Sequence, residues 1–144
     1  MRRLYAFILA PAIAAVAACG REAPRTLAVR DAWTRPADVA TVTAVYLVVE
    51  NHERAAATLT RVTSPDAESV SLHETMQMNG MVHMMPMDSV QTIAAGDSLV
   101  LSEGGKHLMV GGLRRTLAGG DSLALTLSFA DGRTVLVTAK VRAP

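Results

Sequence analysis

From Asp121 to Phe129 the chain alternates strictly, with Leu123, Leu125, Leu127 and Phe129 on one parity and Ala124, Thr126 and Ser128 on the other. A period of two places the first set on one face of an extended chain and the second on the opposite face, which is a half-buried strand and not a helical stripe. Asp131-Gly132 follows, a pair suited to the type I′ turn of a hairpin, and Thr134 to Val141 is again β-branched and alternating. The C-terminus is therefore expected to be a β-hairpin.

The same pattern runs back through the chain. Thr41 to Glu50 is a nearly continuous apolar run that stops at Asn51-His52, as a central strand of a sandwich would. Further strands are expected at Leu27–Trp33, Ala57–Thr63, Ser69–Thr75, Met81–Met85, Ser98–Ser102 and His107–Val110. Most are separated by turn pairs such as Asn79-Gly80, Gly96-Asp97 and Gly104-Gly105. No window carries a capped helical period. Seven to nine short strands predict an all-β antiparallel Greek-key sandwich or barrel, in one domain over residues 27–144. With half its residues hydrophobic and 19% charged, the chain has the composition of a packed domain, and a formal charge of +1 leaves no basic excess for nucleic acid.

The first eighteen residues read as an address. Arg2 and Arg3 precede an apolar stretch from Leu4 to Ala18, too short for a membrane span and laid out like a secretory signal. It ends in small residues before Cys19, which resembles a bacterial lipobox: cleavage before Cys19 and acylation of its sulfur, with residues 19–26 as a lipidated tether. Each buried CH₂ contributes about 0.8 kcal/mol, so two or three acyl chains hold a protein on a membrane. Gly20 in place of Asp favours the outer over the inner membrane of the periplasm.

Methionine is the anomaly. Of eight in the chain, six lie between Met76 and Met87. Met76, Met78, Met81, Met84, Met85 and Met87 share fifteen residues with His73 and His83, and His107 returns two positions before Met109. Three uses compete for such a cluster: core packing, a protein-contact surface, or soft-metal ligation. The interleaved Gln77, Asn79 and Gly80 set it apart from the Val- and Leu-rich strands elsewhere. If Leu108 and Val110 face the core, His107 and Met109 turn outward together, and Val70 with Leu72 likewise leaves His73 on the outside. Thioether and imidazole donors without thiolate or carboxylate favour Cu(I) over zinc or calcium. Only the imidazoles must shed a proton to bind, so affinity is expected to fall as the histidines protonate.

These residues resemble the PCu(A)C family of periplasmic copper chaperones, whose motif is His, ten residues, Met, twenty-one residues, His-x-Met. His73 and Met84 have the first spacing, and His107-Leu108-Met109 closes the motif after twenty-two residues, one more than the pattern. The extra residue is placed in a loop around Asp88-Ser89, and because a one-residue slip reverses a strand's faces, Met84 and Met85 are both eligible. Ala32-Trp33-Thr34-Arg35-Pro36, Ala44-Val45-Tyr46-Leu47 leading to Asn51, and Gly104-Gly105-Lys106 before His107 are also family-like. The resemblance implies a cupredoxin-like sandwich that binds Cu(I) through His73, Met84, His107 and Met109. It further implies a partner that accepts copper, such as the CuA-bearing subunit of cytochrome c oxidase. Met76, Met78, Met81, His83, Met85 and Met87 fall outside the motif and are candidates for a secondary capture surface. Copper buffering or resistance, and a lipid-anchored interaction module without metal, are the competing functions. No nucleophile–base arrangement or phosphate loop points to an enzyme.

Overall fold

The computed structural model describes residues 26–143, which form ten strands and no helix. They are β1 (Leu27–Thr34), β2 (Val42–Asn51), β3 (Ala57–Thr63), β4 (Ala67–Met78), β5 (Met81–Pro86), β6 (Gln91–Ile93), β7 (Ser98–Leu101), β8 (Lys106–Leu113), β9 (Ser122–Phe129) and β10 (Thr134–Val141). The all-β class is as expected, with one strand more than the upper end of the expected range. The additional strand, β6, is three residues long and pairs with β3, too short to show a period. The expected signal, Cys19 and all but the last residue of the expected tether lie outside the described residues.

The strands are hydrogen-bonded in the order β5-β4-β8-β2-β1-β10-β9-β3-β6, with β7 on β2. Pairing is antiparallel except between β1 and β10, which run parallel with Trp33 opposite Lys140 and Thr34 opposite Val141. That departs from the all-antiparallel expectation, because the two strands come from opposite ends of the domain and no local turn dictates their direction. One edge of β2 is shared: Val42–Val45 pair with β8, and Leu47–Glu50 pair with β7. The turn from β7 to β8 therefore sits beside the middle of β2.

Alternation decides the interior. Leu123, Leu125, Leu127 and Phe129 of β9 are buried, as are Val45, Leu47 and Val49 of β2 and Leu72, Leu108 and Val110 of β4 and β8. Each such side chain contributes roughly 1.5–3 kcal/mol relative to exposure. The C-terminal hairpin forms, but with a different turn. Asp131 keeps an ordinary φ and only Gly132 is left-handed (φ 85°), with Gly132 N–H donating to Phe129 O and Phe129 N–H to Arg133 O. The type I′ geometry expected there is found at Asn79-Gly80, where both residues have positive φ (53° and 75°).

Two polar devices tie loops to this core. Asn51, 1% exposed, aims its Nδ2 at the carbonyls of Ala55, Ile93 and Ala94 (2.9, 3.0 and 3.1 Å) and accepts Glu53 N–H on Oδ1. Asp66, at the β3–β4 turn, accepts Ala124 N–H at 3.1 Å and Arg115 Nε–H at 3.2 Å. Those bonds, the backbone one foremost, hold its carboxyl below the usual carboxylate range. A depressed carboxyl stabilises the fold above its unfolded-state value, and that contribution is lost as pH falls through the folded one. Asp66→Asn should therefore destabilise the domain at neutral pH by about 1.5–3 kcal/mol, the usual worth of a hydrogen bond to a charged group. The gap to the parent should close on acidification below the carboxylate range, as read from denaturant midpoints.

Candidate metal centre

Register places the chemistry. In antiparallel pairs, residues directly opposite share a face. His73 on β4 lies opposite His107 on β8 on one side and opposite Pro86 on β5 on the other. The two imidazole centroids are 6.1 Å apart. With metal–nitrogen bonds of about 2 Å, an ion lies about 3 Å from each ring centre, so two rings can share one ion at up to about 6 Å. Met109, two residues from His107 and opposite Ser71, is on the same face, and so is Met84, opposite Thr75. Both methionines are thus diagonal neighbours of His73, at the roughly 7–8 Å backbone separation that long side chains span.

The same register separates Met84 from Met85. Met85 lies opposite Glu74, so it belongs to the reverse face of the hairpin together with Met76, Met78, Met81 and His83. Met87 follows on that side, hydrogen-bonds its N–H to Leu72 O at 2.9 Å, and packs against the core. Of the hairpin's thioethers, Met84 alone stands on the face of His73.

The imidazole nitrogens are unequally engaged. His107 Nδ1 is 3.1 Å from Gly105 O, which must accept from a protonated Nδ1, leaving the Nε2 lone pair free. His73 Nε2 is 3.0 Å from Ser71 Oγ, while its Nδ1 is buried with no hydrogen-bond partner. Buried polar atoms are nearly always paired, and leaving one unpaired costs about 1–3 kcal/mol. An unpaired ring nitrogen on an imidazole whose centre is 6.1 Å from a second one suits metal ligation.

The flank is aromatic. His107, Tyr46 and Trp33 continue the row across β8, β2 and β1, with ring centroids 6.3 Å apart for His107–Tyr46 and 4.7 Å for Tyr46–Trp33, and the Arg142 guanidinium caps the indole at 5.1 Å. Trp33 reaches this face through a bulge. Arg30 pairs with Val48 and Trp33 with Tyr46, so Asp31 and Ala32 together oppose one residue, with Asp31 at φ 55°. Without that extra residue Trp33 would point into the core. Burial pushes the Tyr46 hydroxyl up, so it stays neutral and adds no charge beside the histidines. The row also alters one expectation: His107 does turn away from the core as its neighbours require, yet it is only 3% exposed, with the Tyr46 and His73 rings flanking it on the two neighbouring strands.

Ser71, Gly105 and Tyr46 are the contributors that sequence reasoning did not pick out as site residues. Gly105 carried a signal, since Gly104-Gly105 marks a turn two residues before His107. Its carbonyl takes both His107 Nδ1–H and Thr75 N–H, the latter at 3.1 Å.

Residues 27–141 match the LpqE-like family, described as "Putative lipoprotein LpqE-like". The chain belongs to the LpqE-like family. A relative from Leifsonia xyli subsp. xyli, described as "Putative lipoprotein Lxx21020", is 35% identical over 114 residues, covering 79% of this chain and 68% of its own. Among solved structures, the copper-bound PCuAC domain from PmoF2 superposes with a TM-score of 0.64 at 22% identity, over 82% of this chain and 93% of that one, a likeness of fold. Cu(I)-bound DR1885 from Deinococcus radiodurans is 30% identical with a TM-score of 0.57, covering 83% and 81% of the two chains. The LpqE-like chain thus has the PCuAC architecture that its His/Met spacing resembles.

Proposed function

We propose that this LpqE-like protein is a Cu(I) metallochaperone of the bacterial cell envelope, with His73, Met84, His107 and Met109 as ligands. The observation that carries the reading is the buried, unpaired Nδ1 of His73 set against an imidazole whose own Nδ1 is held by Gly105. The copper-bound state of two structural relatives supports the choice of ion. So does the donor set, soft and uncharged, which holds monovalent copper without an oxidisable thiolate. Neutral ligands on flexible thioethers can be exchanged one at a time for those of an acceptor, which suits delivery, and we assign the CuA site of cytochrome c oxidase as the destination. The lipoprotein descriptions of its family and relative support anchoring to the envelope; the leader sequence is our ground for taking Cys19 as the anchor, on the periplasmic side and in the outer membrane.

The test is an anaerobic Cu(I) titration of the full chain carrying Cys19→Ser, in detergent and against a chromophoric chelator. Tight Cu(I) binding that zinc does not displace is expected, and zinc binding of equal strength overturns the reading. Met84→Leu and Met109→Leu should each weaken tight binding by at least about 10-fold, with the fold intact because the swap nearly conserves volume. Met85→Leu should leave that affinity within about 2-fold, since its side chain is on the other face.

A further inference from the structure

The reverse face of the β4–β5 hairpin is not used by the site above. Its pairs are Glu74–Met85, Met76–His83 and Met78–Met81, closed by the Asn79-Gly80 turn. Near the body this face is the core face, carrying Leu72, but the hairpin outruns the core. Its thioethers are consequently in solvent: Met76 is 45% exposed, Met78 52%, Met81 60% and Met85 48%. Core packing therefore does not account for them. A strand pair that only needed to be soluble would carry polar residues on this face, as charged and polar side chains protect such edges elsewhere.

We propose that Met76, Met78, Met81 and His83 form a second, separate site for a soft monovalent cation, Cu(I) or its mimic Ag(I). Two adjacent cross-strand pairs on one face put four donors at the corners of a patch about 5 Å across the strands and about 7 Å along them. Methionine has three rotatable side-chain bonds, so three sulfurs can converge over the patch beside the His83 nitrogen. The donors are three thioethers and one imidazole, while the carboxylate on this face, Glu74, belongs to the next pair, opposite Met85; the four-donor set selects monovalent copper over zinc, calcium or magnesium. Because side chains on a strand alternate, this site and the one around His73 lie on opposite sides of the same backbone and share no ligand. The peripheral one, near the hairpin tip and open to solvent, is the exchangeable one.

The experiment is an anaerobic titration of the full chain carrying Cys19→Ser, in detergent, with Cu(I) and separately with Ag(I), scoring equivalents bound. The parent should take two. Met76→Leu/Met78→Leu/Met81→Leu should take one, with the tighter affinity unchanged, and circular dichroism should show the fold retained, since the substituted side chains are exposed. His73→Leu/His107→Leu should also take one, of the weaker class. A parent that binds a single equivalent, or a triple variant that still binds two, overturns the second site. Loss of both equivalents in the histidine variant overturns it as well, since the two faces would then act as one site. If the triple variant loses one equivalent and the histidine variant loses none, the second site stands and the ligand assignment on the other face fails.

Discussion

His73→Leu/His107→Leu should abolish the tight Cu(I) binding and yet leave the copper-free domain no less stable than the parent. Even residues that only orient a metal ligand typically cost about 10–100-fold in affinity when removed, so losing both imidazoles should exceed about 100-fold. The stability half of the expectation has an unusual sign. Most substitutions of buried residues destabilise, but His73 keeps an unpaired nitrogen inside the protein, a cost of about 1–3 kcal/mol that leucine removes. Losing His107 does not orphan its partner, because Gly105 O still accepts Thr75 N–H. Chelator competition measures the first half and denaturant unfolding of the metal-free proteins the second. A double variant markedly less stable than the parent would show that the pair is there for architecture.

The largest expected loss of stability lies elsewhere, at Asn51→Asp. The replacement is nearly isosteric, but it sets a carboxylate against the carbonyls of Ala55, Ile93 and Ala94, where an amide now donates. Three acceptors then face a fourth acceptor inside the protein, at a site 1% exposed. An uncompensated buried charge costs about 3–5 kcal/mol, a large share of a typical domain's total stability. Unfolding midpoints should drop accordingly at neutral pH, and partly recover in acid as the carboxyl gains a proton and becomes a donor. Equal stability of the variant and the parent at neutral pH would remove Asn51 from this bracing role. Copper affinity, measured on whatever fraction stays folded, should be unchanged, because Asn51 closes the end of β2 away from the histidines.

What the sequence revealed and what it concealed follow from the range of the forces involved. Alternation is local, so Leu123 to Phe129 and Val45 to Val49 declared their inward face directly. A three-residue strand such as Gln91–Ile93 is shorter than any period, and pairing of β1 with β10 joins chain ends that no turn connects. The bulge at Asp31 has no signature either, because a left-handed aspartate looks like any other aspartate in the sequence; hence the placement of Trp33 beside Tyr46 could only be seen in three dimensions. The choice between Met84 and Met85 was different. A two-residue turn at Asn79-Gly80 fixes Met78 opposite Met81, and counting back from there sets Met84 opposite Thr75, on the parity of His73. That register was readable from the turn pair alone. Asp131-Gly132 shows the limit of such reading, since an equally suitable pair there folds into another turn.

Trp33 is the only tryptophan in the chain, and the ring contacts described above leave it two steps from His107. The Asp31 bulge therefore does more than shape a wall. It sets the one tryptophan at the rim of the imidazole pair, so ligand binding there should change the indole emission without any attached label.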